Sequence, residues 1–176
     1  QQLDALSYAR GPGAFTGVRI AAGVIQGLSY ANDLPVVPVS TLAAMALAVH
    51  QQFGHKDILT AIDGRMKEVY WAADYVEANH VELLVAECVS KVENLSTVET
   101  KDWAGVGTGW SAYAEALNKK FMLDDKLIYA EVLPSAEYIG KLAAANFSKG
   151  LAVSAHAAQP VYLRDDVAKK KVEQKN

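Results

Sequence analysis

Two kinds of apolar stretch alternate along this chain, and their order predicts strands followed by helices. Residues 3–9 are short and apolar and end at the turn Gly11-Pro12-Gly13, as a buried strand does. Residues 16–31 predict a helix with Thr16 as its cap. Further strands are predicted at 35–39, 57–63, 68–75, 81–89, 103–106 and 126–130, and further helices at 41–48, 91–95, 111–120 and 134–149. This alternation is typical of an α/β protein with two lobes that meet near Gly54.

The helix over residues 16–31 carries apolar side chains around nearly its whole circumference. Only Arg19, Gln26 and Ser29 interrupt the apolar positions. A helix of this kind is buried on all sides, either by its own domain or by a partner.

The strand over residues 68–75 alternates between two sets of side chains. Trp71 belongs to an apolar set, whereas Glu68 and Asp74 belong to the intervening set. Side chains that alternate every second residue, with polar residues in one of the two sets, predict a strand that is buried on one face only. Residues 81–89 can pair with it as a hairpin.

Composition and charge exclude several classes of function. Apolar residues make up 51% of the 176 residues and the net charge is -3. A protein that binds nucleic acid unaided is usually basic, so stand-alone binding of this kind is disfavoured. The single cysteine cannot form an internal disulfide, and no cysteine–histidine cluster has zinc spacing, which fits the reducing cytosol. No apolar run predicts a membrane-spanning helix.

Few residues of the sequence are candidates for catalysis or ligand binding. The glycine turns at 11–13 and 107–109 each open a predicted helix, but neither has the Gly-Lys-Ser/Thr ending of a Walker loop, so backbone geometry is the favoured explanation. Asp63 and Glu68 flank a turn and could act as acid and base, although surface carboxylates are far commoner. Cys88 is favoured as a small core residue over a nucleophile. The closest histidines are five residues apart, which is the wrong offset for two ligands on one helix face.

Four stretches of the chain resemble, in order, the bacterial TsaB family, which is also called YeaZ. They are YARGPGAFTGVRIAAGVIQGLSYANDLPVVPVSTL (Tyr8–Leu42), AIDGRMKEVYW (Ala61–Trp71), VGTGW (Val106–Trp110) and QPVYLRDDVA (Gln159–Ala168). Together they span most of the chain, and the first is long enough to be specific.

This resemblance implies an α/β fold of the actin-like, two-lobed type that acetate kinase, Hsp70 and actin share. The lobes are expected over residues 1–54 and 55–166, followed by a basic tail over 167–176. Family members begin with a further strand, a hairpin and a long helix, which this chain lacks, so we expect a first lobe truncated at its N-terminus. Because that hairpin belongs to the phosphate-binding site of actin-like folds, no nucleotide is expected on this chain alone. The apolar surface left open predicts a homodimer in isolation.

The resemblance also implies a function. Family members help to make N6-threonylcarbamoyladenosine on the adenosine just 3′ of the tRNA anticodon. This chain is then expected to be a non-catalytic cytoplasmic subunit that binds and activates TsaD, its paralogue with the transferase site, and the ATPase TsaE joins them. It reaches tRNA only indirectly, and ATP or ADP and a metal ion are expected only in the partner complex.

Two positions support the non-catalytic assignment. The metal-binding histidines of TsaD, carried onto this chain, fall on Thr41 and Met45, which supply no imidazole. No catalytic, cofactor-binding or metal-binding residue is therefore predicted.

The resemblance points to a partner surface as well. In the family, first-lobe helices form a helical bundle with TsaD, which here indicates one stripe of the helix over 16–31. The stripe consists of Val18, Ala22, Ile25 and Ser29. Packing of this stripe against the chain's own sheet is the alternative, and the two are equally supported.

Other functions stay open at this point. One is a glycoprotease-like peptidase that acts on a protein partner, which the absence of an HExxH motif and of a nucleophile–base pair disfavours. Another is a degenerate actin-like ATPase, which needs the missing phosphate loop. A stand-alone tRNA binder is disfavoured by the net charge, although the lysines over 169–175 could add contacts inside a complex.

Overall fold

Seven strands and five helices build the protein in the computed structural model, which describes residues 3–99 and 102–164. The strands are β1 (Leu6–Gly11), β2 (Val36–Ser40), β3 (Asp57–Asp63), β4 (Val69–Glu77), β5 (His80–Ser90), β6 (Ala104–Val106) and β7 (Ile128–Tyr129). The helices are α1 (Phe15–Asn32), α2 (Thr41–Phe53), α3 (Gly109–Ala112), α4 (Ala114–Phe121) and α5 (Ala136–Phe147). The predicted alternation of strands and helices is confirmed.

The strands form two sheets. β1 and β2 pair in parallel as a two-stranded sheet, with α1 as the crossover between them. The second sheet has the order β5-β4-β3-β6-β7, in which β3, β4 and β5 form an antiparallel meander and β6 and β7 add in parallel. The predicted hairpin of β4 and β5 is therefore confirmed.

Helix α2 lies between the two sheets and is the most deeply buried helix. Its run of apolar residues from Leu42 to Val49 is rich in alanine, so strands can approach it from several sides. It contacts β1 and β2 as well as β3, β4, β5 and β6. The Ser40 side chain accepts hydrogen bonds from the amides of Leu42 and Ala43, which caps the helix, and Gly54 ends it with a φ of 83°.

The second face of β4 is buried by this helix. Ala72 and Asp74 are fully buried, although the sequence predicted a polar, exposed face there. That prediction was wrong because α2 covers this face, while Trp71 on the other face packs on Phe121 at a centroid distance of 4.7 Å.

Helix α1 is covered on one side only in this chain. Ala22, Ile25 and Ser29 are buried, whereas Ile20 and Val24 are 62% and 57% exposed. The predicted burial on all sides is therefore not met by the chain's own residues, because α1 packs against β1 and the segment around residues 155–157 and nothing described covers its outer face.

Four predictions about helices were wrong. Ala14, not Thr16, precedes α1 and makes no side-chain capping bond. The helix predicted over 111–120 is two helices, since the backbone leaves helical geometry at Tyr113. Pro134 lies before the first turn of α5, which Ser135 caps. The predicted helix at 91–95 is a single 3₁₀ turn over Val92–Asn94.

The C-terminal part of the described chain returns to the first sheet. Helix α5 contacts β1 and β2, and Val153 exchanges two backbone hydrogen bonds with Val36 at 2.9 and 2.7 Å. Helix α5 and Val153, which the sequence assigned to the second lobe, thus pack on the first sheet. The division into lobes over residues 1–54 and 55–166 stays a prediction. The tail predicted over 167–176 lies outside the described residues. Among the described helices, none is both long and apolar enough to cross a membrane.

Two glycines provide a matched test of this packing. Gly107 has a φ of 104°, and a Cβ there would lie 2.5 Å from the Ala61 carbonyl oxygen, whereas a Cβ on Gly140 in α5 meets nothing within 4 Å. We expect Gly107→Ala to lower the free energy of unfolding by about 3 kcal/mol, because it combines left-handed strain with a clash. Gly140→Ala is expected to raise it by up to about 1 kcal/mol. Urea unfolding of both variants checks this, and equal effects would contradict it.

Candidate functional site

The first glycine turn joins β1 to α1 and packs on the C-terminal segment. Gly11 has a φ of 103°, and a Cβ there would lie 3.3 Å from the Val161 carbonyl oxygen. The Val161 amide donates to the Arg10 carbonyl oxygen at 2.9 Å. The close approach of two backbones explains this glycine, as the sequence favoured.

The second glycine turn has the same kind of explanation. Both Gly107 and Gly109 approach Ala61 so closely that a side chain on either would contact its backbone below 3 Å. The Thr108 hydroxyl accepts a hydrogen bond from the Asp63 amide at 3.2 Å, which ties the turn to the end of β3.

Asp63 and Glu68 each bind other partners. An oxygen of Asp63 accepts hydrogen bonds from the Arg65 amide at 2.9 Å and the Tyr113 hydroxyl at 3.0 Å. Glu68 forms an ion pair with Arg164 at 2.7 Å. These contacts account for both carboxylates as supports of the loop between β3 and β4.

The cysteine and the histidines of the described residues do not form a metal-binding cluster. Cys88 is half-buried on β5, and burial raises the pKa of its thiol, so that its reactive thiolate form is disfavoured. A nitrogen of the His55 ring lies 2.8 Å from the Tyr129 hydroxyl, and the His50 ring lies 2.8 Å from the His55 carbonyl oxygen. Within residues 3–99 and 102–164, no group of three or more His, Cys, Asp or Glu side chains could hold a metal ion.

The two positions that the resemblance matches to metal-binding histidines lie inside the protein. Thr41 and Met45 are 7% and 1% exposed on α2, and Met45 belongs to the core between the sheets. Neither side chain can therefore reach a substrate without opening the core.

A polar junction that the sequence did not reveal links the two sheets. Arg10 on β1 forms an ion pair with Glu87 on β5 at 2.9 Å, and the same carboxylate accepts a hydrogen bond from Ser40 at the start of α2. The Glu87 side chain is only 7% exposed. An apolar strand pattern with two glutamates, Glu82 and Glu87, was the sequence signal, and pairing across the two sheets could not be inferred from it.

Asp74 lies near this junction and is fully buried. The Thr60 hydroxyl contacts one of its oxygens at 3.5 Å, and the other oxygen has no hydrogen-bond partner among the described residues. Burial, and then the negative charge of Glu87, raises the pKa of Asp74 to about 8, while the Thr60 hydrogen bond lowers it. The carboxyl group is therefore mostly protonated at neutral pH.

The predicted partner stripe faces the interior. Ala22, Ile25 and Ser29 are buried and Val18 is half-buried, and Ala22 and Ile25 pack in a small core with Tyr8 and Val36. Packing on the chain's own sheet is the arrangement that the structure describes. A partner role for these four side chains stays a prediction, which their burial disfavours.

The opposite face of α1 is open and apolar. Ile20, Val24 and Leu28 follow one another at intervals of four residues, and each is about half exposed or more. Gly23 and Gly27 lie beside them, and a Cβ on either would meet nothing within 4 Å. A second helix can therefore approach this face closely.

Known proteins resemble the whole of this chain. A family model described as TsaD: tRNA N6-adenosine threonylcarbamoyltransferase matches residues 1–172. The tRNA threonylcarbamoyladenosine biosynthesis protein TsaB of Haemophilus influenzae is 37% identical, and that of Escherichia coli 40% identical, each over 97% of this chain and 74% of the relative. The chain belongs to the TsaB family.

Solved structures agree with this assignment. YeaZ from Pseudomonas aeruginosa has a TM-score of 0.83 at 40% identity, and a second structure, described as an uncharacterized protein with similarity to peptidase YeaZ, has a TM-score of 0.84. Both alignments cover 92% of this chain and 74% of the other. The predicted actin-like α/β fold of this TsaB-family chain, with fewer residues than its relatives, is thereby confirmed.

The titration of Asp74 predicts how stability depends on pH. A carboxyl group with a pKa of about 4 in the unfolded chain and about 8 in the fold stabilises the fold fully below about pH 4. This contribution falls as the pH rises from about 4 to about 8. Asp74→Asn removes the titration, so the variant should gain stability relative to the wild type as pH rises, by more than about 1 kcal/mol near pH 8.

Urea unfolding at several pH values checks this expectation. Asp124→Asn is the control, because Asp124 is exposed and its pKa is lowered by a hydrogen bond from Lys126. A difference between Asp74→Asn and the wild type that does not change with pH would contradict the assigned titration.

The junction predicts that Glu87 and Glu77 differ in how much they contribute to stability. Glu87→Gln leaves Arg10 without a charged partner in a mostly buried site, and we expect a loss of about 2 kcal/mol in unfolding free energy. Glu77→Gln removes an exposed ion pair with Lys56 and should change little. If Glu87→Gln loses no more unfolding free energy than Glu77→Gln in thermal or urea unfolding, the stabilising role of Glu87 is contradicted.

Proposed function

We propose that this chain is the non-catalytic scaffold subunit that binds and activates the TsaD transferase in N6-threonylcarbamoyladenosine modification of tRNA. The observation that carries this proposal is the similarity to TsaB relatives named for that biosynthesis, at 37–40% identity over 97% of the chain. ATP or ADP and a metal ion belong, in this proposal, to the complex with TsaD and the ATPase TsaE, and the setting is the cytoplasm.

The interior position of Thr41 and Met45 supports the non-catalytic part of the proposal. These positions stand where the paralogue has metal-binding histidines, and Met45 is enclosed by the core of both sheets. A soft thioether and a hydroxyl are poor substitutes for two imidazoles on iron or zinc. No observation on the described residues favours the ATPase or the peptidase alternative.

The exposed face of α1 supports the scaffold part. Ile20, Val24 and Leu28 form an apolar stripe that this chain leaves open. A helical partner such as TsaD, or a second copy in isolation, buries such a stripe by packing a helix along the Gly23 and Gly27 side. This face replaces the interior stripe as the proposed contact.

Light scattering after size-exclusion chromatography tests the scaffold function. The chain mixed with its cognate TsaD is expected to elute with the mass of a heterodimer, and Val24→Arg or Leu28→Arg should abolish it, because a charge would be buried in an apolar contact. Leu133→Arg, at a residue 62% exposed outside α1, is the matched control and should leave pairing intact.

The opposite results are equally informative. If both arginine variants of α1 bind TsaD as the wild type does, the exposed face is not the interface. If neither this chain nor a chain as long as its relatives binds TsaD, the proposed function is wrong.

A further inference from the structure

A cavity of about 460 Å³ lies where α1, β4 and the C-terminal segment meet, and no function above uses it. Its lining combines two arginines, Arg19 and Arg164, with aromatic side chains. The aromatic side chains are Phe15, Tyr70 and Tyr162. None of its lining residues carries a carboxylate. Of the two arginines, Arg164 is paired with Glu68 at 2.7 Å, so the positive charge of the lining comes from Arg19, in a chain whose net charge is -3.

Arg19 lies between aromatic rings, and no anionic partner for it occurs among the described residues. Its guanidinium carbon is 3.2 Å from the ring centre of Phe15 and 5.1 Å from that of Tyr162. No ion pair or hydrogen bond of Arg19 occurs within the described ranges 3–99 and 102–164. Phe15 and Tyr162 are themselves 57% and 47% exposed, so flat apolar faces and an available positive charge reach solvent together.

Arg164 joins the cavity to a strained loop. It donates to the Gly64 carbonyl oxygen at 2.9 Å and to Glu68 at 2.7 Å, while its Nε is a buried donor without an acceptor among the described residues. It also lies 5.9 Å from the ring centre of Tyr70. The loop between β3 and β4 is therefore held at the edge of the cavity.

This loop presents Lys67 as a further exposed cation at a cost in backbone energy, while Arg65 is paired with Asp63 at 3.4 Å. Arg65, Met66 and Lys67 have φ values of 63°, 55° and 64°, a left-handed run without any glycine, and all three are exposed. Such residues persist only where the surroundings impose them, and they concentrate at functional sites. Asp63 and Glu68 impose the turn through bonds to its backbone.

We propose that this cavity and its loop bind an unpaired segment of RNA, with a base against the Phe15 and Tyr162 rings and phosphates near Arg19 and Lys67. Positive side chains beside exposed aromatic faces are the combination that binds single-stranded nucleic acid. The proposal rests on the proposed function in tRNA modification, and it replaces indirect access to tRNA by a direct contact. An acidic peptide fits less well, because it would use the cations but not the rings.

Fluorescence anisotropy with an unmodified anticodon stem-loop RNA at low salt tests the proposal. The full chain is used, so that Asp165 and Asp166, which follow Arg164 in the sequence, are present. Tyr162→Ala should weaken binding about tenfold and Tyr162→Phe should restore it, since stacking needs the ring and not the hydroxyl. Arg19→Ala should weaken binding and reduce the slope of log K against log salt by about 0.7.

Lys119→Ala is the matched control, because Lys119 is an exposed cation on α4 that lines a different cavity. It should leave the affinity unchanged within about twofold. Equal effects of Arg19→Ala and Lys119→Ala, equal affinity for a fully paired RNA stem, or no saturable RNA binding would each overturn the proposal. Binding of a poly-glutamate peptide that depends on Arg19 but not on Tyr162 would replace RNA by an acidic peptide.

The same variants separate this inference from the proposed function. Tyr162→Ala should keep the heterodimer mass with TsaD, since Tyr162 lies outside α1. If the wild-type chain binds RNA but does not bind TsaD, the scaffold function is rejected and the RNA site is retained.

Discussion

Both sheets of the protein depend on the burial of helix α2. Its apolar run from Leu42 to Val49 contacts strands of either sheet, and its alanines keep those contacts short. Exposing this helix would uncover more buried residues than exposing any other described helix, because eight of its residues are buried. The position of β1, β4 and α5 around a single helix follows from that constraint.

The polar groups near the start of α2 complete this arrangement. Glu87 reaches from β5 to Arg10 on β1 and to Ser40, so one carboxylate connects both sheets and the helix cap. Asp74, buried nearby on β4, avoids a second negative charge by keeping its proton. Glu87 therefore joins the two sheets, whereas Asp74 contacts Thr60 on β3 within its own sheet.

The functions proposed for this molecule rest on two surfaces of the described residues. The open face of α1 is apolar and suits another helix, whereas the cavity beside its first turns is cationic and aromatic. Arg19 precedes Gly23 and Gly27 at intervals of four residues, so the cavity adjoins the open face of this helix. Gly23 and Gly27 favour a protein helix on the apolar face, and Arg19 between two rings favours RNA in the cavity.

The sequence by itself determined the order of strands and helices, the glycine turns and the family. These features depend on local backbone preference and on motifs read along the chain. It did not determine which side of α1 is buried, because an apolar helix has no polar face to distinguish inside from outside. It also missed the burial of Asp74 and the pairing of Arg10 with Glu87. Those were decided by packing of α2 between the sheets, since burial and charge pairing depend on residues that meet only in the tertiary structure.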